Sequence, residues 1–422
     1  AMGEGVVAKL VSFHQGCYRM VDTAFQGSPL FHKALKEAFE AVVNFRINDV
    51  TVGELLAERF NSLLKKGGAS KTMSSASLTE EISRIVALFC YLAEKDQFAE
   101  FFRADLAQRL LENRSNSMEM EKMVIGKLKY ACGAQYTSKL EGMLTDARAA
   151  AETSKKFSAY LAANQTKRIG PPLLTDQGGE FHARILTSGF WPALPEEHLG
   201  LSRSVTATLG EFERYYEKKF GQRRLKWIHS LASVTISTKI KGKQYEFLVN
   251  GFQAAVLLAL NDHAHGLTIE ALTKQTLLPP NVIKRVLLSL VVRSKLLLKK
   301  PKKDYKLADV IMPNSSFSSA QRRLRVPSHK ASKDAKTLSR KKTMTAISED
   351  RKGAIEAGIV RVLKARKTMT HRELIMEVSS LMMSRNHFKP DPRQIKQRIE
   401  SLMSRDYLDR DPNSSETYRF LG

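Results

Sequence analysis

A chain of 422 residues is too long for one hydrophobic core, so two to four domains are expected. With 43% hydrophobic and 26% charged residues the composition is globular and excludes a wholly disordered chain. The formal net charge of +25 leaves three classes of partner open: nucleic acid, an anionic membrane surface or an acidic protein.

The first residues, Ala1-Met2-Gly3-Glu4-Gly5, read as an expression scar joined to the interior of a longer protein, not as a signal peptide. From 6 to about 161 the pattern is helical. Phe98, Phe102, Leu106 and Leu110 recur every fourth residue, Phe101 and Leu111 widen the stripe, and Arg103, Asp105 and Gln108 fall off it. Residues 61–68 read as a helix end, with Lys65 and Lys66 in the last turn and Gly67 and Gly68 beyond it. Residues 1–165 are therefore expected to form a helical bundle.

Gly170-Pro171-Pro172 stops any helix. Short extended candidates follow at 181–187 and 227–240, the second with Val234, Ile236 and Ile240 at mostly even spacing. Tyr245, Phe247 and Val249 alternate after the Lys241-Gly242-Lys243 turn, so 227–249 resembles a hairpin. Two later segments share the plan helix, helix, helix, short strands. The first runs from a helix at 252–260 through the capping-type start at Leu267-Thr268-Ile269-Glu270 to a helix at 280–292. The second runs from a helix at 355–363 through Thr370-His371-Arg372-Glu373 and a helix at 392–404 to strands at Tyr407-Leu408 and Tyr418-Arg419-Phe420. This is the winged-helix plan, met twice. The stretch 321–352, with eleven Lys and Arg against three acids, reads most simply as a solvated linker.

The expected fold class is thus mainly α with a smaller α/β region. A helical bundle (1–165) precedes an α/β region that includes a winged-helix element (170–320). A basic linker (321–345) then leads to a C-terminal winged-helix domain (346–422).

Signs of catalysis are broken or missing. The longest apolar run, 254–260, is far too short to span a membrane. Cys17, Cys90 and Cys132 form no CxxC, which favours a reducing compartment and argues against a disulfide framework or a self-contained zinc site. Gly67-Gly68-Ala69-Ser70-Lys71-Thr72 imitates a phosphate loop without its earlier glycine or a preceding strand. His263 and His265 lack a completing ligand set, and Cys132 lacks a nearby histidine. No metal, no cofactor and no catalytic residue is expected.

Motifs in fixed order run along nearly all of residues 10–422. Glu94-Lys95-Asp96-Gln97-Phe98 leads to Asp105-Leu106-Ala107-Gln108-Arg109-Leu110-Leu111, then Cys132-Gly133 and Tyr136-Thr137-Ser138-Lys139-Leu140-Glu141-Gly142-Met143. Thr187-Ser188-Gly189-Phe190-Trp191-Pro192 and Gly221-Gln222-Arg223-Arg224-Leu225-Lys226-Trp227 follow. The last third holds Glu349-Asp350-Arg351-Lys352, Ile359-Val360-Arg361-Val362-Leu363-Lys364-Ala365-Arg366-Lys367, and Asp406-Tyr407-Leu408-Asp409-Arg410. In this order the chain resembles the C-terminal part of cullins, leaning by residues 137–143 and 395–407 toward the third and fourth subfamilies. The N-terminal repeats that bind substrate adaptors are missing from it.

The resemblance implies a non-catalytic scaffold of a ubiquitin ligase complex in the cytoplasm and nucleus. It implies a RING-box protein as partner, held by a strand added to the α/β sheet, and through it a charged ubiquitin-conjugating enzyme. It implies covalent attachment of a ubiquitin-like modifier, with neddylation and deneddylation machinery as further partners, and it carries the acceptor onto Lys364. At 100° per residue Ile355, Gly358, Ile359, Val362 and Leu363 share one helix face and Lys364 points almost opposite, as an amine that must reach a thioester requires. Trp227, Val234, Ile236, Tyr245, Phe247 and Val249 are the candidates for the partner sheet, each also readable as core. An unpaired sheet edge accepts another chain's strand well. The alternative is a basic winged-helix nucleic-acid-binding protein whose helix at 394–403 enters a major groove with Lys396, Arg398 and Arg405. Motif order favours the scaffold.

Overall fold

The computed structural model describes every residue except 1, 48, 165–169, 194–197, 262, 264, 302–304, 328–332, 413 and 422. It opens with helices α1 (Met2–Ala24) and α2 (Pro29–Val43), a small ladder of β1 (Arg46–Ile47) with β2 (Val50–Thr51), then α3 (Val52–Leu64), α4 (Ser75–Cys90), α5 (Lys95–Leu111), α6 (Met118–Cys132) and the long α7 (Ala134–Asn164). Side-chain oxygens begin three of these helices. Thr51 accepts the Glu54 N–H, Ser74 the Ser77 N–H, and Ser117 the N–H groups of Glu119 and Met120. The stripe on α5 is the buried one expected. Phe98 and Phe102 stack at 5.6 Å, and Phe60 of α3 meets both edge-on at 5.8 Å. Each such ring, fully buried, contributes about 1.5–3 kcal/mol.

After the bundle comes α8 (Arg203–Lys219), whose Phe212 and Tyr216 join Phe157 of α7 and Ala183 in a small aromatic core. The hairpin of β3 (Ser233–Ile240) and β4 (Lys243–Asn250) turns on Lys241 and Gly242, with φ of 50° and 78°. Positive φ at both central residues is what a two-residue type I′ turn needs. The first winged helix follows: α9 (Gly251–Ala259), β5 (Leu267–Thr268), α10 (Ile269–Thr276), α11 (Pro280–Leu287) with a π-helical continuation to Arg293, β6 (Leu297–Lys300) and β7 (Val310–Pro313), its strands ordered β5-β7-β6. Thr268 starts α10 by accepting the Ala271 N–H, and Asn250 with Gln253 forms a capping box on α9.

A third strand, β8 (Arg323–Arg325), then runs parallel to β4, and α12 (Lys333–Arg366), β9 (Thr368–Thr370), α13 (His371–Leu381), α14 (Pro392–Met403), β10 (Leu408–Asp411) and β11 (Ser414–Phe420) complete the second winged helix, strand order β10-β11-β9.

Two expectations are corrected here. Residues 181–187 carry no strand; Phe181 instead packs its ring against Phe157 and Phe212. The segment 321–345 is not an extended linker throughout. Leu324 of β8 packs on the core of the α/β region, residues 328–332 lie outside the described ones, and α12 begins at Lys333. No proline interrupts 333–366, and Arg340 is fastened by its guanidinium to both Glu54 oxygens, at 2.7 and 2.9 Å, so charge density there does not keep the chain extended.

The chain divides into two compact units. One comprises Ala1–Thr145, Leu186–Pro192 and Asp334–Gly422; the other comprises Asp146–Ile185 and Ala193–Lys333. The first unit therefore contains the bundle up to Thr145 of α7 and the second winged helix.

Candidate modification site and partner sheet

Lys364 lies in the last turn of α12. Ile355, Ile359, Val362 and Leu363 turn the other way, into a core shared with Leu374, Val378, Ile395, Ile399 and Tyr418. Gly358 lies on that buried face where α12 meets the end of α13; a Cβ there would come 2.7 Å from Met382 Cε. Lys364 itself is exposed, as are Arg361, Arg366 and Lys367. Arg366 leans to Glu377 at 3.7 Å, whereas Lys364 has no ion-pair partner among the described residues. The helix stops at Lys367, whose φ of 69° is left-handed. Its N–H donates to the Leu363 carbonyl at 2.7 Å and its carbonyl accepts the Phe420 N–H at 3.1 Å. The turn that carries Lys364 is thus clamped on both sides while its amine projects into solvent, the arrangement an acyl acceptor needs.

Of the six candidate sheet residues, five lie on one face of one hairpin. Val234 pairs with Val249 and Ile236 with Phe247, and Tyr245 follows on β4. Tyr245, Phe247 and Val249 are buried in the core of the α/β region, where Phe317 meets Tyr245 and Phe247 edge-on at 5.5 Å. Their side chains serve this chain's own core. What the sheet leaves open is the outer edge of β3, which has β4 on one side and no strand on the other among the described residues. Trp227 is not part of this sheet. It packs on Phe212 and Phe181 and donates its Nε1–H to Glu213 at 2.6 Å.

One constellation was not anticipated, although its members stood in the quoted motifs. Arg351 of α12 donates to both oxygens of Asp96, at 2.6 and 2.8 Å, and to Glu94 at 3.4 Å, and its guanidinium lies 4.7 Å over the Phe388 ring. Beside it the Lys95 N–H donates to the His387 carbonyl at 3.1 Å, Tyr136 donates its O–H to the Lys95 carbonyl at 2.7 Å, and the rings of Tyr136 and His387 meet edge-on at 5.1 Å. Burial raises the Asp96 carboxyl above its ordinary value, with the Arg351 hydrogen bond opposing. Opposite charges at Glu94-Lys95-Asp96 and Asp350-Arg351-Lys352 were the available signal; nothing in the spacing said that the two would meet.

The alternative nucleic-acid reading loses cations here. Glu356 of α12 holds Arg398 at 3.5 Å and Arg405 at 2.7 Å, two of the three basic residues that reading requires on and beside α14. Among the described residues no group of three or more His, Cys, Asp or Glu could hold a metal ion, and no helix is long and apolar enough to cross a membrane.

A helical bundle, an α/β region with a winged helix and a terminal winged helix with an outward lysine define a mainly α, multidomain class of fold. Comparison with known families agrees: residues 2–154 match the cullin alpha solenoid domain, 185–317 the cullin alpha+beta domain and 350–414 the cullin protein neddylation domain. The chain is 36% identical to Cullin-2 of Arabidopsis thaliana over 418 residues, 99% of this chain and 54% of that protein. It is 36% identical to Cullin-1 of Oryza sativa subsp. japonica, across 98% of this chain and 54% of that one, and 31% identical to human Cullin-4A, across 99% and 52%. The chain belongs to the cullin family, and it spans about half the length of the curated relatives it matches. Cullin-3A of Arabidopsis thaliana is 32% identical over 96% of this chain, so the lean toward the third and fourth subfamilies is not reflected in these identities.

Proposed function

We propose that this chain is the catalytically inert, C-terminal scaffold portion of a cullin-RING ubiquitin ligase, regulated by a ubiquitin-like modifier on Lys364. The single observation that carries this reading is the exposed amine of Lys364 on a clamped helix end inside the segment matched to the neddylation domain. In this reading a RING-box protein supplies a strand to the α/β region and brings a charged ubiquitin-conjugating enzyme, so the scaffold works by proximity. The free edge of β3 supports such an addition, since backbone hydrogen bonds supply affinity and neighbouring pockets supply specificity. Neddylation and deneddylation enzymes are the remaining partners.

The test is a reconstituted neddylation reaction with the RING-box partner present. Wild type gains one modifier; Lys364→Arg, which keeps the charge and most of the stem but removes the acceptor amine, gains essentially none and still binds the partner. Modification of both proteins at equal rate, mapped to Lys352 or Lys367, would place the acceptor elsewhere.

A further inference from the structure

The first winged helix carries a cationic surface that the ligase reading leaves unused. Between 271 and 301 the chain has seven Lys and Arg and no Asp or Glu. α11 buries Val282, Ile283, Val286 and Leu287 and leaves Asn281, Lys284 and Arg285 exposed. The described ends of the wing beside it, 299–301 and 305–309, are tied together. Buried Lys299 pairs with Asp309 at 2.7 Å, donates to the Pro301 carbonyl at 2.5 Å and lies 5.0 Å from the centre of the Tyr305 ring, while Asp309 accepts the Lys306 N–H at 2.9 Å. With Lys299 turned in, the alternation of β6 turns Lys300 out, and Lys306 is exposed on the same wing. Among the described residues of this winged helix, Glu270 is taken by Lys274 at 2.8 Å and Asp309 by Lys299. Lys284, Arg285 and Lys300 have no ion-pair partner among the described residues. This is the reverse of the second winged helix, where Glu356 holds Arg398 and Arg405.

We infer that α11, together with Lys300 and Lys306 at the described ends of the β6–β7 wing, binds the phosphate backbone of duplex DNA. A winged helix lays its third helix in the major groove, and only the B-form groove is wide enough to admit a helix. The exposed side of α11 carries one Lys and one Arg, which neutralise phosphates, and the wing carries Lys300 and Lys306. Asn281 alone could read a base edge, so binding is set by charge and shape and not by sequence. Four phosphate contacts give a slope of log K against log salt of about −3.6, and an affinity in the range of non-specific binding, roughly 10⁻⁴ to 10⁻⁶ M. Neither an acidic protein nor a single strand presents the regularly spaced phosphates that would engage helix and wing together.

The experiment is a fluorescence anisotropy titration of the full chain with a short labelled duplex of arbitrary sequence, across about 50 to 200 mM salt. Lys284→Glu/Arg285→Glu, both exposed and pointing away from the core, loses at least ~10-fold in affinity, and Lys300→Ala and Lys306→Ala each shallow the slope by about one. Arg393→Glu/Lys396→Glu on α14 makes the same change in net charge and leaves binding within about 2-fold, which separates a site from a bulk field. Circular dichroism confirms that each variant folds. Three outcomes overturn the inference: equal loss in both double variants, unchanged binding in Lys284→Glu/Arg285→Glu, or competition by a polyglutamate of matched charge as effective as by unlabelled duplex. The last would assign the surface to an acidic protein. Because no step uses Lys364 or the RING-box partner, none of these results bears on the neddylation assay.

Discussion

At the scale of single residues, the least replaceable group in the bundle is a buried ion pair. Arg109 and Glu121 are 2% and 0% exposed, and they meet in a fork, Nε to Oε1 at 2.8 Å and Nη2 to Oε2 at 2.9 Å. Asn61 Oδ1 accepts from Arg109 Nη1 at 2.9 Å, and Ser115 donates its hydroxyl to Glu121 at 2.8 Å. The network ties α3, α5 and α6 together with its main polar contacts filled, so its desolvation cost is offset only while it is whole. Arg109→Ala leaves a carboxylate in the core with one hydroxyl donor. It is expected to destabilise the bundle by about 3–5 kcal/mol, whereas Arg109→Met/Glu121→Leu recovers most of that loss. Urea unfolding read by hydrogen exchange in α5 and α6 checks this; a single variant no worse than the double would show that the pair is not acting as one unit. Arg109 stood in a quoted motif, and nothing in the sequence marked it as buried. Its partner is twelve residues away, on the next helix.

At the scale of elements, helix starts and apolar faces were legible because local chemistry decides them. Thr370 and Glu373, three residues apart, form a reciprocal capping box, Thr370 accepting the Glu373 N–H while the Glu373 carboxylate accepts the Thr370 N–H. The face of α12 opposite Lys364 was readable for the same reason. What stayed hidden depends on tertiary contact. Residues 181–187 have strand-like composition, yet Phe181 turns toward the aromatic core of α8 and the backbone joins no ladder. The 321–345 stretch looked solvated because its arginines have no local partner; Arg340 finds Glu54 far away in sequence. An exacting contact between elements is at Gly142 of α7, where a Cβ would come 2.4 to 2.7 Å from the Phe190 ring. The ring lies flat over the space a side chain would need. Gly142→Ala is therefore expected to destabilise the first unit by about 1–3 kcal/mol, despite alanine's better helix propensity. Adding Phe190→Leu to Gly142→Ala should restore part of it. A rise in Tm on Gly142→Ala alone would mean that the ring moves freely.

At the scale of the whole chain, the high positive charge is partly spent internally. Glu54 of the bundle takes Arg340 of α12, Glu94 and Asp96 share Arg351, and the second winged helix is fixed to the bundle within one compact unit. His387 makes that fixation sensitive to pH. Its ring lies edge-on to Tyr136 and is half-buried. Burial first, and the Lys95 charge second, hold the imidazole below its ordinary value, while Asp96 pulls weakly the other way. Away from the bundle the same ring titrates near about 6.5. Between the depressed value and about 6.5, a proton is taken up only by the released form, so acidification favours release. The contribution is fully present above about pH 6.5 and is lost as pH falls from there through the depressed value. Amide protection of residues 385–390, corrected for intrinsic exchange, is therefore expected to drop between about pH 7.5 and 5.5. His387→Asn tolerates the left-handed φ of 57° at this position and removes the titration. It should flatten the pH dependence without abolishing protection, because Arg351 still grips Asp96. An equally steep loss of protection in His387→Asn would assign the sensitivity to the carboxylates and not to the histidine.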